Sequence, residues 1–199
     1  EMTIATGEVA PWVSASLENY GELTELVSIV FNEMGIKPKY RFYPWKRCFD
    51  SVVNGRVWAA FPYSYTPDRA TQVWFSDSLT CAQTVFFYFE RKDSPVDYQF
   101  KSFEDLKSYR IGGVTGYFYQ DMFHEAGLKV DYVNKESYGI EKLKIGRIDL
   151  LPVNERVGWH LINTLFPDDA HRFKTLDKAL SKDTVMMIVS KTYPNAYSA

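Results

Sequence analysis

Residues 56–69, RVWAAFPYSYTPDR, run from an apolar stretch straight into two tyrosines, two hydroxyl residues and an arginine. The first six (RVWAAF) read as a β-strand, and residues 62–69 (PYSYTPDR) as the loop at its carboxyl end. Taken alone, that loop has two readings. It is a proline turn, with Pro67 at the second position and Thr66 and Asp68 bonding to local backbone. Or it is an anion site, in which the fork of Arg69 grips a carboxylate through two parallel hydrogen bonds. Ser64 and Thr66 then add donors, and Tyr63 and Tyr65 supply flat walls. The rest of the chain decides between the two.

Upstream, residues 2–6 (MTIAT) read as a strand, and Gly7–Pro11 as a loop ending at Trp12. Leu23, Leu26, Val27, Val30, Phe31 and Met34 then fall on one stripe of a helix that Gly35 stops. Residues 38–44 alternate as a strand. A second helix from about Trp45 to Asn54 places Trp45, Cys48, Phe49, Val52 and Val53 on one face, so Cys48 reads as a packed thiol. The order strand, helix, strand, helix, strand implies a parallel sheet covered by helices, in which ligands bind at the carboxyl ends of strands. Two loops leave those ends, GEVAPW and PYSYTPDR.

Downstream, residues 79–90 (LTCAQTVFFYFE) are strand-like, and Arg91–Pro95 (RKDSP) punctuate the chain as a linker. Ser102 with Asp105 forms a capping box for a short helix. Strands are expected at 109–114, 128–133 and 147–153. Helices are expected from Gly116 to Ala126, over 136–145 and over 154–165, with a last strand at 184–190. This is a second α/β unit, giving lobe 1 as residues 1–90 with 190–199, lobe 2 as 91–189, and a cleft between them.

The net charge of −2 and the 24% charged residues give no footprint for nucleic acid. Aromatic residues make up 17% of the chain (14 Tyr, 14 Phe, 5 Trp), more than a core of this size commonly needs, so some rings are expected to line a small-molecule site. No run of about 18 apolar residues occurs. His124, His160 and His171 are isolated, and no zinc, phosphate-loop or nucleophile-elbow motif is present, so neither metal, cofactor nor catalytic residue is expected. Cys48 and Cys81 are open to a disulfide, two thiols or neither.

Three stretches combine polar donors with aromatic rings in loops. One is GEVAPW, with Glu8 and Trp12, and the second is PYSYTPDR. The third is GGVTGYFY (112–119), a strand end feeding a helix whose free backbone amides favour an anion. Phe118, Met122 and Phe123 are expected on that helix's core face, leaving Thr115, Gly116 and Tyr117 for the cleft.

With these residues placed, the chain resembles the bacterial periplasmic solute-binding proteins of the polar amino-acid type (family 3), which serve ABC transporters. The resemblance is most specific over residues 55–77, GRVWAAFPYSYTPDRATQVWFSD, which match a strand followed by Ser-x-Thr-x-x-Arg and Phe-Ser-Asp. GEVAPW, RIGGVTG and GRIDLLPVNE support it. It implies a two-lobed periplasmic-binding-protein-like fold of type II, each lobe a mostly parallel sheet flanked by helices. It implies that Arg69 holds a ligand carboxylate, that Ser64 assists, that Trp12 contacts the ligand, and that Thr115, Gly116 and Tyr117 help from the second lobe. The implied protein is a periplasmic monomer without a cofactor, its signal peptide absent from this sequence, that closes on a small solute and passes it to a permease.

The departures concern selectivity. Where relatives that bind α-amino acids place an aspartate for the ammonium, this chain has Asn154, followed by Glu155. Either Glu155 or Glu8 takes over, or the ligand is not a simple α-amino acid. Tyr117 stands where a hydroxyl residue is common, Trp58 where an aspartate is usual, and the family's further C-terminal helix has no counterpart here. A lyase or dehydratase on the same lobes, with Glu155 as its acid or base, and a ligand-sensing module are the alternatives.

Overall fold

Strand β1 (Met2–Thr6) is buried on both faces. Ile4 enters an apolar cluster with Trp12, Leu23, Val27 and Phe31, while Ala5 enters another with Cys48, Val52, Ala60 and Tyr63. Successive side chains on a strand point to opposite faces, so apolar residues at both positions require cover above and below. The protein is seen in a computed structural model that describes residues 2–91 and 98–194. Of the stretch read as a linker, all but Arg91 lies outside the described residues. The chain divides into two units, Glu1–Ala82 with Asp183–Ala199, and Gln83–Lys182.

In the first unit, β1 pairs in parallel with β2 (Pro38–Phe42) and with β3 (Ala59–Ser64). Helices α1 (Glu22–Glu33) and α2 (Trp45–Val53) make the crossovers. Strand β9 (Ser181–Ser190) pairs antiparallel with β3 and lies beside β4 (Val73–Phe89). Between β3 and β4 comes the short helix α3 (Pro67–Gln72). The third strand thus begins three residues later than the sequence predicts and runs through PYS of the motif. Its register with β9 shifts between Ala60 and Tyr63, around Pro62, which has no N–H to give the ladder. Strand β4 starts at Val73, well before the expected residue 79.

The α1 stripe is narrower than its periodicity predicts. Leu23, Val27 and Phe31 are buried, whereas Leu26, Val30 and Met34 are exposed. One line of contact on the sheet covers only part of a stripe that spreads this far around the helix. Trp45, expected on the buried face of α2, is 37% exposed. Cys48 is fully buried, its S–H directed to Thr6 O at 3.2 Å, and both cysteines are free.

The second unit holds α4 (Phe103–Leu106), β5 (Ile111–Val114), α5 (Tyr119–Glu125), β6 (Val130–Val133), α6 (Glu136–Ile145), β7 (Leu151–Asn154), α7 (Glu155–Leu165) and β8 (Phe173–Thr175). Strands β5 and β6 pair in parallel, and Ile111 bridges in parallel to Leu150. The later half of β4 pairs antiparallel with β7 and with β8, a strand the sequence reading omits. The Ser102–Asp105 capping box is present, and Gly146 ends α6 in the left-handed region. On the core side of α5 stand Tyr119 and Phe123, while Phe118 and Met122 face solvent. The helix begins at Tyr119 rather than at Gly116, which rotates the expected face.

Asp149 ties the end of α6 to β5. It accepts from Arg110 Nε at 3.0 Å, Arg110 Nη2 at 2.5 Å and the Arg110 backbone N–H at 2.8 Å, while Arg110 Nη1 donates to Gly146 O at 2.7 Å. Burial alone would raise the Asp149 carboxyl, but the hydrogen bonds from Arg110 outweigh it and hold it below 3.8. A depressed carboxyl contributes stability that is present above its unfolded value and lost as pH falls through the folded one. Asp149→Asn is therefore expected to cost about 1 kcal/mol at pH 7, after screening at the exposed Arg110, and to cost less at pH 3. Denaturant unfolding at both pH values checks this.

Burial also pushes the Cys48 thiol up to about 11. In native protein at pH 8, a thiol reagent is expected to modify Cys81 at once and Cys48 only after denaturant is added.

Candidate functional site

Because β1, β2 and β3 are parallel, their carboxyl ends Thr6, Phe42 and Ser64 lie on one edge of the first unit's sheet. The segments leaving that edge carry Glu8, Trp45, Ser64, Thr66 and Arg69. Thr66 is the N-cap of α3, its Oγ1 accepting from Arg69 N at 3.2 Å, and Pro67 follows at the first helical position. The cap fixes the backbone of Arg69, and the side chain then folds back so that Nη1 donates to Ser64 O at 2.9 Å. Its guanidinium stands 5.4 Å from the Tyr63 ring centroid. The other guanidinium N–H groups and the Ser64 hydroxyl have no partner among the described residues. A positioned, half-exposed cation with open donors can receive an anion without losing an existing ion pair.

Tyr63 is not an open wall. It is 7% exposed, its hydroxyl donates to Trp45 O at 3.0 Å, and burial raises its pKa. Its ring meets Trp45 edge-on at 6.0 Å. Tyr65 is exposed and leans on Phe75 at 5.1 Å. Trp12 also departs from expectation, at 7% exposed inside the cluster beneath α1. Reciprocal hydrogen bonds between Val9 and Val13 fold the loop back and turn residue 12 inward. Glu8 is exposed, and its Oε1 accepts from Ala15 N at 3.1 Å.

The aromatic surface at this edge comes instead from Trp45, which sequence reasoning placed in the core. Its ring lies so close to Gly7 that a Cβ there would stand 2.5 Å from the indole. A side chain at residue 7 would therefore displace the Trp45 ring from its place. Pro44 is the N-cap of α2, so Trp45 is the first residue of the helix, next to the carboxyl edge.

In the second unit the expected free amides are occupied. Thr115 N donates to Val133 O at 2.9 Å, Gly116 N to Gln120 Oε1 at 2.8 Å and Tyr117 N to Val114 O at 3.3 Å. With α5 only seven residues long and starting at Tyr119, these residues form a closed turn rather than a helix N-terminus. Thr115 and Gly116 are exposed. Tyr117 is half-buried, with its hydroxyl donated to Glu136 Oε1 and its pKa raised by burial and then by that carboxylate.

Asn154 and Glu155 stand where β7 meets α7. Asn154 caps the helix, Oδ1 accepting from Val157 N at 3.3 Å, so part of its amide serves the fold. Glu155 accepts from Gln83 Nε2, a residue that sequence reasoning did not single out. The lone amide in the apolar run 79–90 was the signal that could have found it.

Replacing Tyr63 by Phe would remove the side-chain donor that Trp45 O receives in addition to its helical bond. A loss of about 1 kcal/mol in stability is expected, with a shift in tryptophan emission; calorimetry and fluorescence of Tyr63→Phe check it.

A family model described as bacterial extracellular solute-binding proteins, family 3, matches residues 4–182. Among solved structures, a histidine kinase sensor domain with similarity to periplasmic binding proteins aligns with a TM-score of 0.72 at 18% identity, over 96% of this chain and 83% of its own. The ligand-binding core of GluR0 from Nostoc punctiforme in complex with L-glutamate aligns at 0.70 and 16% identity, covering 98% and 87%. A Gly52Ala mutant of arginine-bound ArgBP from T. maritima aligns at 0.67 and 19%, covering 96% and 87%. No curated protein matches the sequence.

Proposed function

Because the chain belongs to the bacterial extracellular solute-binding proteins of family 3, we propose that it captures a small carboxylate-bearing solute, a polar amino acid or a related compound, and delivers it to an ABC transporter permease. One observation carries the choice of ligand. Arg69 is fixed by Ser64 O and the Thr66 cap at the carboxyl edge of a parallel sheet, with its remaining donors open. In this reading Arg69 and the Ser64 hydroxyl take the carboxylate, and the exposed Trp45 ring supplies the apolar contact. Glu155, already oriented by Gln83, is the acid that receives a ligand ammonium, since Asn154 is neutral and spends its oxygen on a helix cap. Thr115 and Gly116 contribute side-chain and carbonyl contacts rather than amides. The chain acts as a periplasmic, non-enzymatic monomer, with the hinge closing that the sequence resemblance implies. No helix among the described residues is long and apolar enough to cross a membrane.

Such a protein is expected to gain melting temperature from its ligand in a screen of amino acids, dicarboxylates and small peptides. Arg69→Ala is expected to weaken the best ligand by about 2–4 kcal/mol, roughly 30- to 1,000-fold, while the unliganded stability changes by less than about 1 kcal/mol. Undiminished affinity by calorimetry would overturn the role of Arg69. A second reading, a ligand-sensing module, draws on the likeness to the histidine kinase sensor domain. Ligand uptake by vesicles that contain a permease, dependent on added protein, would separate delivery from sensing.

A further inference from the structure

An open surface cavity of about 510 Å³, lined largely by exposed residues, lies in the first unit, against the outer edge strand β2 and α1. Its lining includes Tyr20, Tyr40, Glu25, Asn32 and Lys37, none of which belongs to the carboxyl-edge site described above. The volume falls within the ordinary range for small-ligand pockets. Two tyrosines line it edge to face, with ring centroids 6.1 Å apart and planes at 66°, and Tyr20 also packs 5.5 Å from Phe42. Tyr20 holds that place with φ +62, in the left-handed region that a bulky residue seldom adopts. Its side is nonetheless 46% exposed. At the base a hydrogen-bonded chain joins Tyr40 OH to Ser28 Oγ at 2.8 Å and Ser28 Oγ to Thr24 O at 2.7 Å.

The rim separates the possible ligands. Glu25 and Lys37 contribute one charge of each sign, and Glu25 is already engaged by Asn19 Nδ2 at 3.1 Å, so the lining offers no net charge to an ion. The Asn32 amide has no partner among the described residues and presents a donor beside an acceptor. Each hydroxyl of a polyol both donates and accepts, which matches this amide and the Asn19–Glu25 pair, while the half-exposed Tyr20 ring, set 66° to the Tyr40 ring, offers one aromatic surface to the C–H side of a six-membered ring. We infer that this cavity is a second ligand site, for a neutral polyol of monosaccharide size.

The test is a titration of ¹⁵N-labelled protein with glucose and with myo-inositol, followed by amide correlation spectra. Shifts confined to residues 19–40 and to the Asn32 side chain are expected, saturating with a dissociation constant on the order of millimolar. Asn32→Ala and Tyr20→Gly are each expected to weaken binding about fivefold with unchanged circular dichroism, and Arg69→Ala to leave it unaffected. Three outcomes would overturn the inference: no shifts with either polyol, shifts that neither variant alters, or shifts produced at these residues by glycine or arginine but not by the polyols. Because Arg69→Ala separates the two sites, a failure here is distinct from a failure of the proposed function.

Discussion

The pairing of β1 with β2 on one side and β3 on the other, all parallel, is the constraint on which the first unit depends. A strand with Ile4 on one face and Ala5 on the other, both fully buried, must sit inside the sheet with helices above and below. Parallel pairing then demands that each connection cross over, so every loop after a strand emerges on one edge. Gly7, Trp45 and Ser64 meet there although 57 positions separate the first from the last. The cluster of residues at the carboxyl edge is a consequence of that connectivity, and the backbone beneath it is paired on both sides.

Within the site, local and long-range forces divide the work. The Thr66 cap and the Pro67 start are local and place Arg69 at a set position on the first turn of α3. The guanidinium is then held by Ser64 O, five residues back, which leaves its outward donors available. Tyr63 turns the other way and binds the core through Trp45 O. Neighbouring residues of one motif therefore differ: Tyr63 is tied to the edge by its hydroxyl, and Arg69 keeps open donors. The proline-turn reading of PYSYTPDR is realised, and the same turn sets the position of Arg69, whose remaining donors stay open.

The second unit shows how unreliable a glycine-rich turn is as evidence of an anion site. GGVTGYFY has the composition of one, yet Val133 and Gln120 use the amides of Thr115 and Gly116. Asn154 likewise serves as a helix cap, and the neighbouring Glu155 is hydrogen-bonded by Gln83.

The order of strands and helices, the capping box at Ser102, the cap at Gly146 and the arrangement of Ser64, Thr66 and Arg69 were legible in the sequence by itself. Each rests on interactions between residues a few positions apart, which spacing records directly. The inward turn of Trp12, the exposed ring of Trp45, the occupied amides of 115–117 and the Gln83–Glu155 pair were decided by tertiary structure alone. In each of these the deciding partner is distant in sequence or set by the path of a loop: Val13 for Trp12, Gly7 for Trp45, Val133 for Thr115, and Gln83 for Glu155. Periodicity states that a side chain is apolar or polar, but only packing and the satisfaction of buried hydrogen bonds state which way it faces.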